Sequence, residues 1–352
     1  MAVAPTAARL RDRATKRARA SNARCPLLSL LERHPHVRTL VLSRLGLPAL
    51  WRLRCVSAAW GGWVTAAMRA LPDLVVLGGE PFDHGAAPSA ATRGPRALAL
   101  ALATMRWSAL PPPPWQRGGS GICTTAAGAL AMAGGTASAA SPLSARALGA
   151  LSRSAEVFCG GRWTPLPPLP QPITRGQLVA LADGALLMIG GLSLQPAAAP
   201  PGELTGAVLM LAVGATSWVE RRPLLTARAD FAAGLLPDGR VIVAGGTGAA
   251  TAGTVRPQPP GQFAPRERAL DSTEIYDPRT DAWTEAAPLA EARTACAGCV
   301  DWERGRFVVS GGRGEQAGPM QALLPLASVE SFLPAEDRCE AAPASPWPWT
   351  EL

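Results

Sequence analysis

Several features are scarce in this chain, and each scarcity argues against a class of protein. No run of about 18 apolar residues is free of Arg, Pro or Gly, so a membrane-spanning helix is not expected. The seven cysteines are odd in number and irregular in spacing, which indicates unpaired thiols rather than a disulfide framework. No apolar segment of a secretory signal is present, so the sequence predicts a reducing compartment, cytoplasmic, nuclear or both.

Catalytic and metal-binding motifs are scarce as well. The sequence has no Gly-x-Ser-x-Gly elbow of a serine hydrolase, and residues 118–121 (GGSG) lack the Lys-Ser/Thr of a phosphate-binding loop. Cys296 and Cys299 form a Cys-x-x-Cys pair without the second pair or the histidines that a structural zinc requires. We therefore expect no metal, no cofactor and no enzymatic activity, and we interpret this pair as two small side chains along a strand.

The net charge of +8 follows from the composition of the whole chain rather than from one basic surface. Lys16 is the only lysine, and beyond residue 25 the arginines are scattered singly and interleaved with acidic residues. A nucleic-acid-binding protein concentrates its basic residues on one face, so nucleic acid is not an expected partner. Residues 1–25 are predicted to be a disordered basic tail, with a nuclear-localisation patch or a transit peptide as alternatives.

A long repeat runs through the rest of the chain. Double glycines end five apolar runs at nearly constant intervals, and only the last interval is longer than the others. The pairs are Gly78-Gly79, Gly134-Gly135, Gly190-Gly191, Gly245-Gly246 and Gly311-Gly312. A glycine pair at the end of a buried strand permits a positive φ or a close approach of two backbones, so we assign these residues a structural role.

Two further markers keep the phase of the glycines. A tryptophan precedes four of the pairs at a nearly constant distance, at Trp107, Trp163, Trp218 and Trp283. An arginine follows each tryptophan after a shorter and similar interval, at Arg117, Arg175, Arg228 and Arg293. Turn dipeptides such as Asp183-Gly184 precede short apolar runs and predict β-hairpins. Each repeat is therefore expected to be a small antiparallel sheet, with the indole filling the space between neighbouring sheets.

The best copy of the repeat resembles the kelch family. It runs Ser272-Thr273-Glu274-Ile275-Tyr276-Asp277-Pro278, then Trp283, Arg293 and Gly311-Gly312. The resemblance covers about residues 72–345, and it implies that residues 71–352 form a mainly β fold, a β-propeller of about five or six four-stranded blades.

Departures from the repeat bear on the ends and the loops of this propeller. Cys339 stands where the tryptophan of the last copy would fall. The ring closes with a strand from residues 344–352, or the chain ends in a truncated sixth blade. Insertions at about 195–205 and 247–270 are rich in Pro, Gly and Ala, and we predict that both are loops on one face.

Residues 26–70 break the β pattern and predict two or three short amphipathic helices, because apolar residues recur every three or four positions. The stretch from Leu42 to Trp60, with its leucine-proline turn and with Val56 four residues before the tryptophan, resembles an F-box. The resemblance implies an apolar face that binds a Skp-type adaptor, although several candidates must pack inside the segment. The candidates are Val37, Val41, Leu42, Leu45, Leu47, Leu50, Val56 and Trp60. A helical cap on the propeller is the alternative.

Together the two resemblances imply a substrate receptor of a cullin-RING ubiquitin ligase, in which the propeller holds an unidentified target protein. The alternative is a kelch scaffold with no ligase role. Galactose oxidase, a copper enzyme of similar fold, is excluded because its site needs two tyrosines and Tyr276 is the only one here. In a ligase receptor Lys16 and the α-amino group would be the only ordinary ubiquitin acceptors, so we expect weak self-modification.

Overall fold

The chain divides into two compact units, residues 1–76 with 98–109 and residues 77–97 with 110–352. The computed structural model describes residues 58–69, 74–77, 97–101, 104–114, 117–137, 153–193, 203–249, 267–315 and 323–341, together with Leu31, Pro35, Leu42 and Leu50. These ranges are mainly β and include the helix α1 (Ala58–Arg69). None of the helical residues in them belongs to a segment long and apolar enough to cross a membrane.

The smaller unit contains α1 and most of a three-stranded sheet. The strands, in sheet order, are β1 (Leu74–Leu77), β2 (Ala97–Ala101) and β3 (Arg106–Ala109). Leu42, Leu50, Val64 and Met68 are each no more than 3% exposed and form a small apolar core, against which Trp60 packs. The helical segment thus has a core of its own. The domain limits predicted after residues 25 and 70 lie outside the described residues.

The described residues of the larger unit form four antiparallel sheets of four strands, each in the up-and-down order of a meander. Sheet I is β5 (Gly121–Thr124), β6 (Leu130–Ala133), β8 (Ala155–Cys159) and β9 (Arg162–Pro165). Sheet II is β11 (Gln177–Ala180), β12 (Leu186–Ile189), β15 (Val208–Leu211) and β16 (Val219–Arg221). Sheet III is β18 (Ala232–Leu235), β19 (Val241–Ala244), β22 (Thr273–Asp277) and β23 (Ala282–Ala286). Sheet IV is β24 (Ala297–Asp301), β25 (Arg306–Ser310), β28 (Val329–Leu333) and β29 (Arg338–Ala341).

These four sheets are successive blades of a β-propeller. Their first strands, β5, β11, β18 and β24, contact one another in chain order, as the innermost strands of neighbouring blades do. The core lies between the sheets, because side chains alternate between the two faces of each strand. Met188 in β12 packs with residues of sheet I, whereas its neighbour Leu187 packs with residues of sheet III. Burying a side chain of this size contributes roughly 1.5–3 kcal/mol.

Short extra strands form a second layer at one end of each blade. Before sheet I, β4 (Arg117–Gly118) pairs with β7 (Thr136–Ala137). Before sheet II, β10 (Ile173–Thr174) pairs with β13 (Leu192–Ser193), which pairs with β14 (Glu203–Leu204). Before sheet III, β17 (Arg228–Ala229) pairs with β20 (Thr247–Ala249), which pairs with β21 (Glu267–Ala269). In the last repeat β26 (Arg313–Glu315) pairs with β27 (Leu323–Pro325).

This layer corrects the prediction that residues 195–205 and 247–270 are simple loops. The ends of these insertions form the strands β14, β20 and β21. After each glycine pair the chain forms a short strand that pairs with the strand leading into the same blade. The ribbon of β26 and β27 is a third element of this kind that the sequence did not indicate. The possible closing segment, residues 344–352, lies outside the described residues.

The glycine pairs end the second strand of each blade and turn the chain into this layer. Gly190 and Gly191 have φ of 56° and 104°, and a Cβ on Gly191 would lie 2.5 Å from the carbonyl oxygen of Thr174. A larger residue is therefore excluded by both backbone conformation and space. The pairs that end β6, β19 and β25 also have positive φ, whereas Gly78-Gly79 lies outside the described residues.

Candidate functional site

A buried arginine links the start of a blade to its third strand. In sheet III, Arg228 is fully buried and donates to Glu274 Oε1 at 2.6 Å and to the carbonyl oxygens of Gly245 and Ser272, each at 2.9 Å. Burial lowers the pKa of this guanidinium, and the charge of Glu274 opposes the shift. The carboxylate also accepts the backbone N–H of Leu225 at 2.8 Å. A charge pair with so many hydrogen bonds is compatible with the interior.

The same arrangement recurs in two other blades. Arg293 donates to Glu330 in sheet IV, and Arg117 donates to Glu156 in sheet I. Each of these arginines is at most 3% exposed. The sequence markers Arg117, Arg228 and Arg293 thus lie at equivalent positions, where they fix the loop before a blade rather than face solvent.

Arg175 does not occupy that position, so its assignment to the marker register is corrected. The residue of sheet II at the start of β10 is Ile173, which is fully buried and pairs in the layer as Arg228 does in β17. Its partners change with it, because Leu209 and Ala207 stand where sheet III has Glu274 and Ser272. In sheet II the whole charged network is thus replaced by apolar side chains. Neither a buried guanidinium nor a buried carboxylate is left at these positions without its partner.

The tryptophan markers hydrogen-bond to the preceding repeat. The indole N–H of Trp163 donates to the carbonyl oxygen of Pro111 at 2.9 Å, and that of Trp218 donates to Pro167 at 2.7 Å. Trp283 donates to the carbonyl oxygen of Arg222 at 2.9 Å. Cys339 lies opposite Phe332 as Trp283 lies opposite Tyr276, and its thiol approaches the carbonyl oxygen of Ala287 at 3.6 Å. Trp107, in β3 of the other unit, is 52% exposed.

Tyr276 belongs to the same outer pair of strands in sheet III. Its ring packs on Trp283 at 5.0 Å between centroids, and its hydroxyl donates to Asp281 Oδ1 at 2.7 Å. Burial, with the neighbouring carboxylate, raises the pKa of this phenol. The hydrogen bond from the phenol lowers the pKa of Asp281. The tyrosine is thus part of the blade and is not available as a ligand.

The predicted adaptor-binding face is described at three of its eight positions. Leu42 and Leu50 are each 3% exposed inside the small core, and Trp60 packs against it with its ring 5.5 Å from that of Trp63. Leu42 and Leu50 are therefore among the candidates that pack inside the segment. The side chains of Val37, Val41, Leu45, Leu47 and Val56 lie outside the described residues.

A hydrogen-bonded chain of four residues runs across the inner end of the extra layer. Gly119, Arg175, Asp230 and Ala295 precede the first strands of sheets I to IV and have φ of 64°, 59°, 51° and 52°. The N–H of each donates to the carbonyl oxygen of the one before, at 2.6, 2.9 and 2.9 Å. A non-glycine residue held in this region costs about 1–3 kcal/mol. The repeat maintains this geometry through the hydrogen bonds, whatever side chain is present.

Beside these residues the face opens into a cavity of about 1030 Å³. Three arginines line it, Arg175, Arg268 and Arg313, with Asp230 as the lining carboxylate. Arg175 Nε donates to Asp230 Oδ2 at 2.7 Å. Leu323, which is 43% exposed, contributes apolar surface at the edge. With three cations and one anion among the described lining residues, the cavity favours a negatively charged ligand.

A second depression, of about 730 Å³, lies at the opposite ends of the inner strands. Cys123, Cys299 and Trp302 are among its lining residues. Burial raises the pKa of the Cys123 thiol to about 12 and also raises that of Cys299, so neither is an activated nucleophile. Within the described ranges there is no group of three His, Cys, Asp or Glu residues that could hold a metal. Cys296 and Cys299 lie before and within β24, close to the predicted position along a strand.

The repeat is recognised by a family model. The family model described as "Kelch motif" matches residues 231–290, which span sheet III from β18 to the loop after β23. The chain thus contains a kelch motif. A solved structure with a similar fold is that of YjhT, with a TM-score of 0.50, 14% sequence identity and coverage of 70% of this chain and 75% of that one.

Curated relatives carry the same repeat in their names. An F-box/kelch-repeat protein of Arabidopsis thaliana is 31% identical over 156 residues, which cover 44% of this chain and 35% of the relative. Kelch-like protein 34 of Homo sapiens is 32% identical over 157 residues, 43% of this chain and 21% of that protein. A second F-box/kelch-repeat protein of Arabidopsis thaliana is 29% identical over 145 residues, covering 40% and 30%. The matches thus span between a fifth and about a third of these relatives.

Proposed function

We propose that this kelch-repeat chain is the substrate-recognition adaptor of an SCF-type ubiquitin ligase. The helical segment binds the Skp-type adaptor that connects to the cullin, and the propeller binds the target protein. The observation that carries the proposal is the F-box-like stretch from Leu42 to Trp60, which directly precedes the blades. Two relatives named F-box/kelch-repeat proteins support it.

The core of Leu42, Leu50, Val64 and Met68 supports a helical segment that folds as an adaptor-binding module must. In the proposal the other apolar candidates of the F-box-like segment provide the contact with the Skp-type adaptor, as buried apolar side chains do in stable interfaces. They are Val37, Val41, Leu45, Leu47 and Val56. No residue is assigned a catalytic role, because the receptor acts by holding its target close to the ligase's active subunits.

The target is proposed to bind the face that carries the extra strands. This face combines the long insertions with the cavity around Arg175, Arg268 and Arg313. Loops on a rigid scaffold commonly carry binding function because their sequence is free of packing constraints. We place the target there rather than at the second depression, where the inner strands provide few charged groups.

A kelch scaffold without a ligase role is the second candidate. The likeness to Kelch-like protein 34, whose name mentions no F-box, favours it. Both candidates are protein-interaction modules, and they differ in one binding event. A ligase receptor retains the Skp-type adaptor, whereas a scaffold does not.

Co-purification of the tagged full chain with the Skp-type adaptor from a cell extract tests the proposal. Retention by the full chain and loss from a chain lacking residues 26–70 is the expected result. A milder variant, Val37→Asp, should also lose the adaptor, whereas Val213→Asp, at a residue that is 75% exposed in the propeller, should retain it. If the folded full chain retains another partner protein but not the Skp-type adaptor, the result favours the scaffold.

A further inference from the structure

The cavity on the face with the extra strands contains two arginines without an acidic partner. Arg268 and Arg313 both line it, and in the described part of the chain neither has a carboxylate within ion-pair distance. The Nε of Arg268 is buried, and no acceptor reaches it within the described ranges. A buried guanidinium nitrogen without a partner costs free energy that a bound anion would recover.

Arg175 differs from these two. Its guanidinium is already bonded to Asp230, and its backbone is fixed by the hydrogen-bonded chain that crosses the face. It is therefore a positioned group at the edge of the cavity, with its charge largely compensated. The uncompensated positive charge belongs to Arg268 and Arg313, which lie on the neighbouring ribbons β21 and β26.

We infer that this cavity binds an acidic segment of a partner protein, with Arg268 and Arg313 bonding its carboxylates. The inference rests on the proposed function, in which this face holds the target. A guanidinium presents two parallel N–H donors to a carboxylate, so one Asp or Glu side chain satisfies each arginine.

The shape and the apolar edge favour a polypeptide. A volume of about 1030 Å³ accommodates several residues. Leu323 and Pro325 supply apolar surface beside the arginines, which suits the apolar neighbours of an acidic residue. A nucleic acid requires a basic stripe that follows its phosphates, whereas here the charge is gathered in one concavity beside a carboxylate, Asp230.

The test uses the full chain and a fluorescein-labelled hexaglutamate peptide, with hexaglutamine as the neutral control. Arg268→Gln and Arg313→Gln should each weaken hexaglutamate binding tenfold or more, because each change removes charge-assisted hydrogen bonds to a carboxylate. Arg162→Gln removes the same charge from an exposed site on β9 and should leave the affinity unchanged. Hexaglutamine should not bind.

Competition identifies the class of ligand. Hexaglutamate binding should resist inorganic phosphate and an oligothymidine of equal charge. Displacement by phosphate alone would indicate a small-anion site, and equal arginine-dependent binding of the oligothymidine would indicate a general polyanion site; either overturns the inference. An equal loss in Arg162→Gln would also overturn it, because the binding would then reflect net charge.

The outcome is separable from that of the proposed function. If the chain retains the Skp-type adaptor and a target, and the Arg268→Gln/Arg313→Gln variant retains both equally, the proposed function stands and the acidic-segment site is wrong. If the adaptor is not retained but hexaglutamate binds through the two arginines, the site stands and the ligase role is wrong.

Discussion

Replacing Glu274 by leucine in sheet III should destabilise the protein far more than transplanting the whole apolar set from sheet II. The single change leaves Arg228 fully buried without its carboxylate, and the N–H groups of Leu225 and Thr226 lose their acceptor. Breaking a buried ion pair at one partner costs about 3–5 kcal/mol. At roughly 2–4 °C of Tm per kcal/mol for a domain of this size, we expect Tm to fall by about 10 °C.

The matched variant copies the residues of sheet II. It carries Arg228→Ile, Ser272→Ala, Glu274→Leu and Leu225→Pro, which reproduce Ile173, Ala207, Leu209 and Pro170. Proline has no N–H, so of the two backbone donors that bind Glu274 only that of Thr226 loses its acceptor in this variant. Apolar replacement of a whole buried ion pair is often neutral or stabilising, so this variant should stay within about 1–2 kcal/mol of the parent chain.

Thermal unfolding followed by tryptophan fluorescence and far-ultraviolet circular dichroism measures the difference. The informative comparison is between Glu274→Leu and the fourfold variant, because both lack the carboxylate and only the first retains the buried cation. If the two unfold at the same temperature, the unpaired charge is not the source of the cost, and the explanation of sheet II as a concerted replacement fails.

Three further predictions concern single groups. Trp283→Phe keeps a ring but leaves the carbonyl oxygen of Arg222 without its donor, so urea unfolding should show a loss of about 1–2 kcal/mol; no loss would mean that water replaces the indole. In native protein at pH 8, mass mapping after iodoacetamide should find exposed Cys159 modified and Cys123, whose pKa burial raises to about 12, unmodified; rapid labelling of Cys123 would contradict its environment. In a reconstituted ligase, self-ubiquitination should be weak and weaker still in Lys16→Arg; robust modification with a blocked N-terminus would contradict this.

Periodicity was sufficient to predict the blades, because the glycine pairs and tryptophans are fixed by backbone space and by inter-repeat hydrogen bonds. The mainly β fold and the kelch repeat are confirmed. The arginine register failed once: the other three arginines share one spacing from their tryptophans, whereas Arg175 stands two positions farther from Trp163, so the common spacing indicates Ile173. Because an arginine was required at each marker position, Ile173 was overlooked as the equivalent residue of sheet II. The structure explains this replacement, since Leu209 stands where sheet III has Glu274.

The candidate site could not be predicted in the same way, because its residues are not repeated. Arg313 begins β26 directly after Gly312, as Thr247 begins β20 directly after Gly246, but the residue type differs. Arg268 lies on β21, whose distance from its glycine pair is not shared by the other repeats. Their proximity depends on how β21, at the end of one insertion, pairs with β20, and on how the next repeat turns into β26. Likewise, amphipathic spacing alone did not indicate that Leu42 and Leu50, among the apolar candidates, are buried in the small core.

The hydrogen-bonded chain across the face explains why binding chemistry can vary there. At its four equivalent positions the residues are Gly119, Arg175, Asp230 and Ala295, which share a positive φ and backbone hydrogen bonds but no side-chain property. At the glycine pairs, by contrast, a Cβ on Gly191 would meet a carbonyl oxygen, so no such freedom exists. The repeat thus constrains the backbone of this face without constraining its side chains. Charged side chains can therefore differ around one cavity with little effect on the stability of the blades. In the proposed function, the specificity of the face comes from these unrepeated side chains rather than from the repeat.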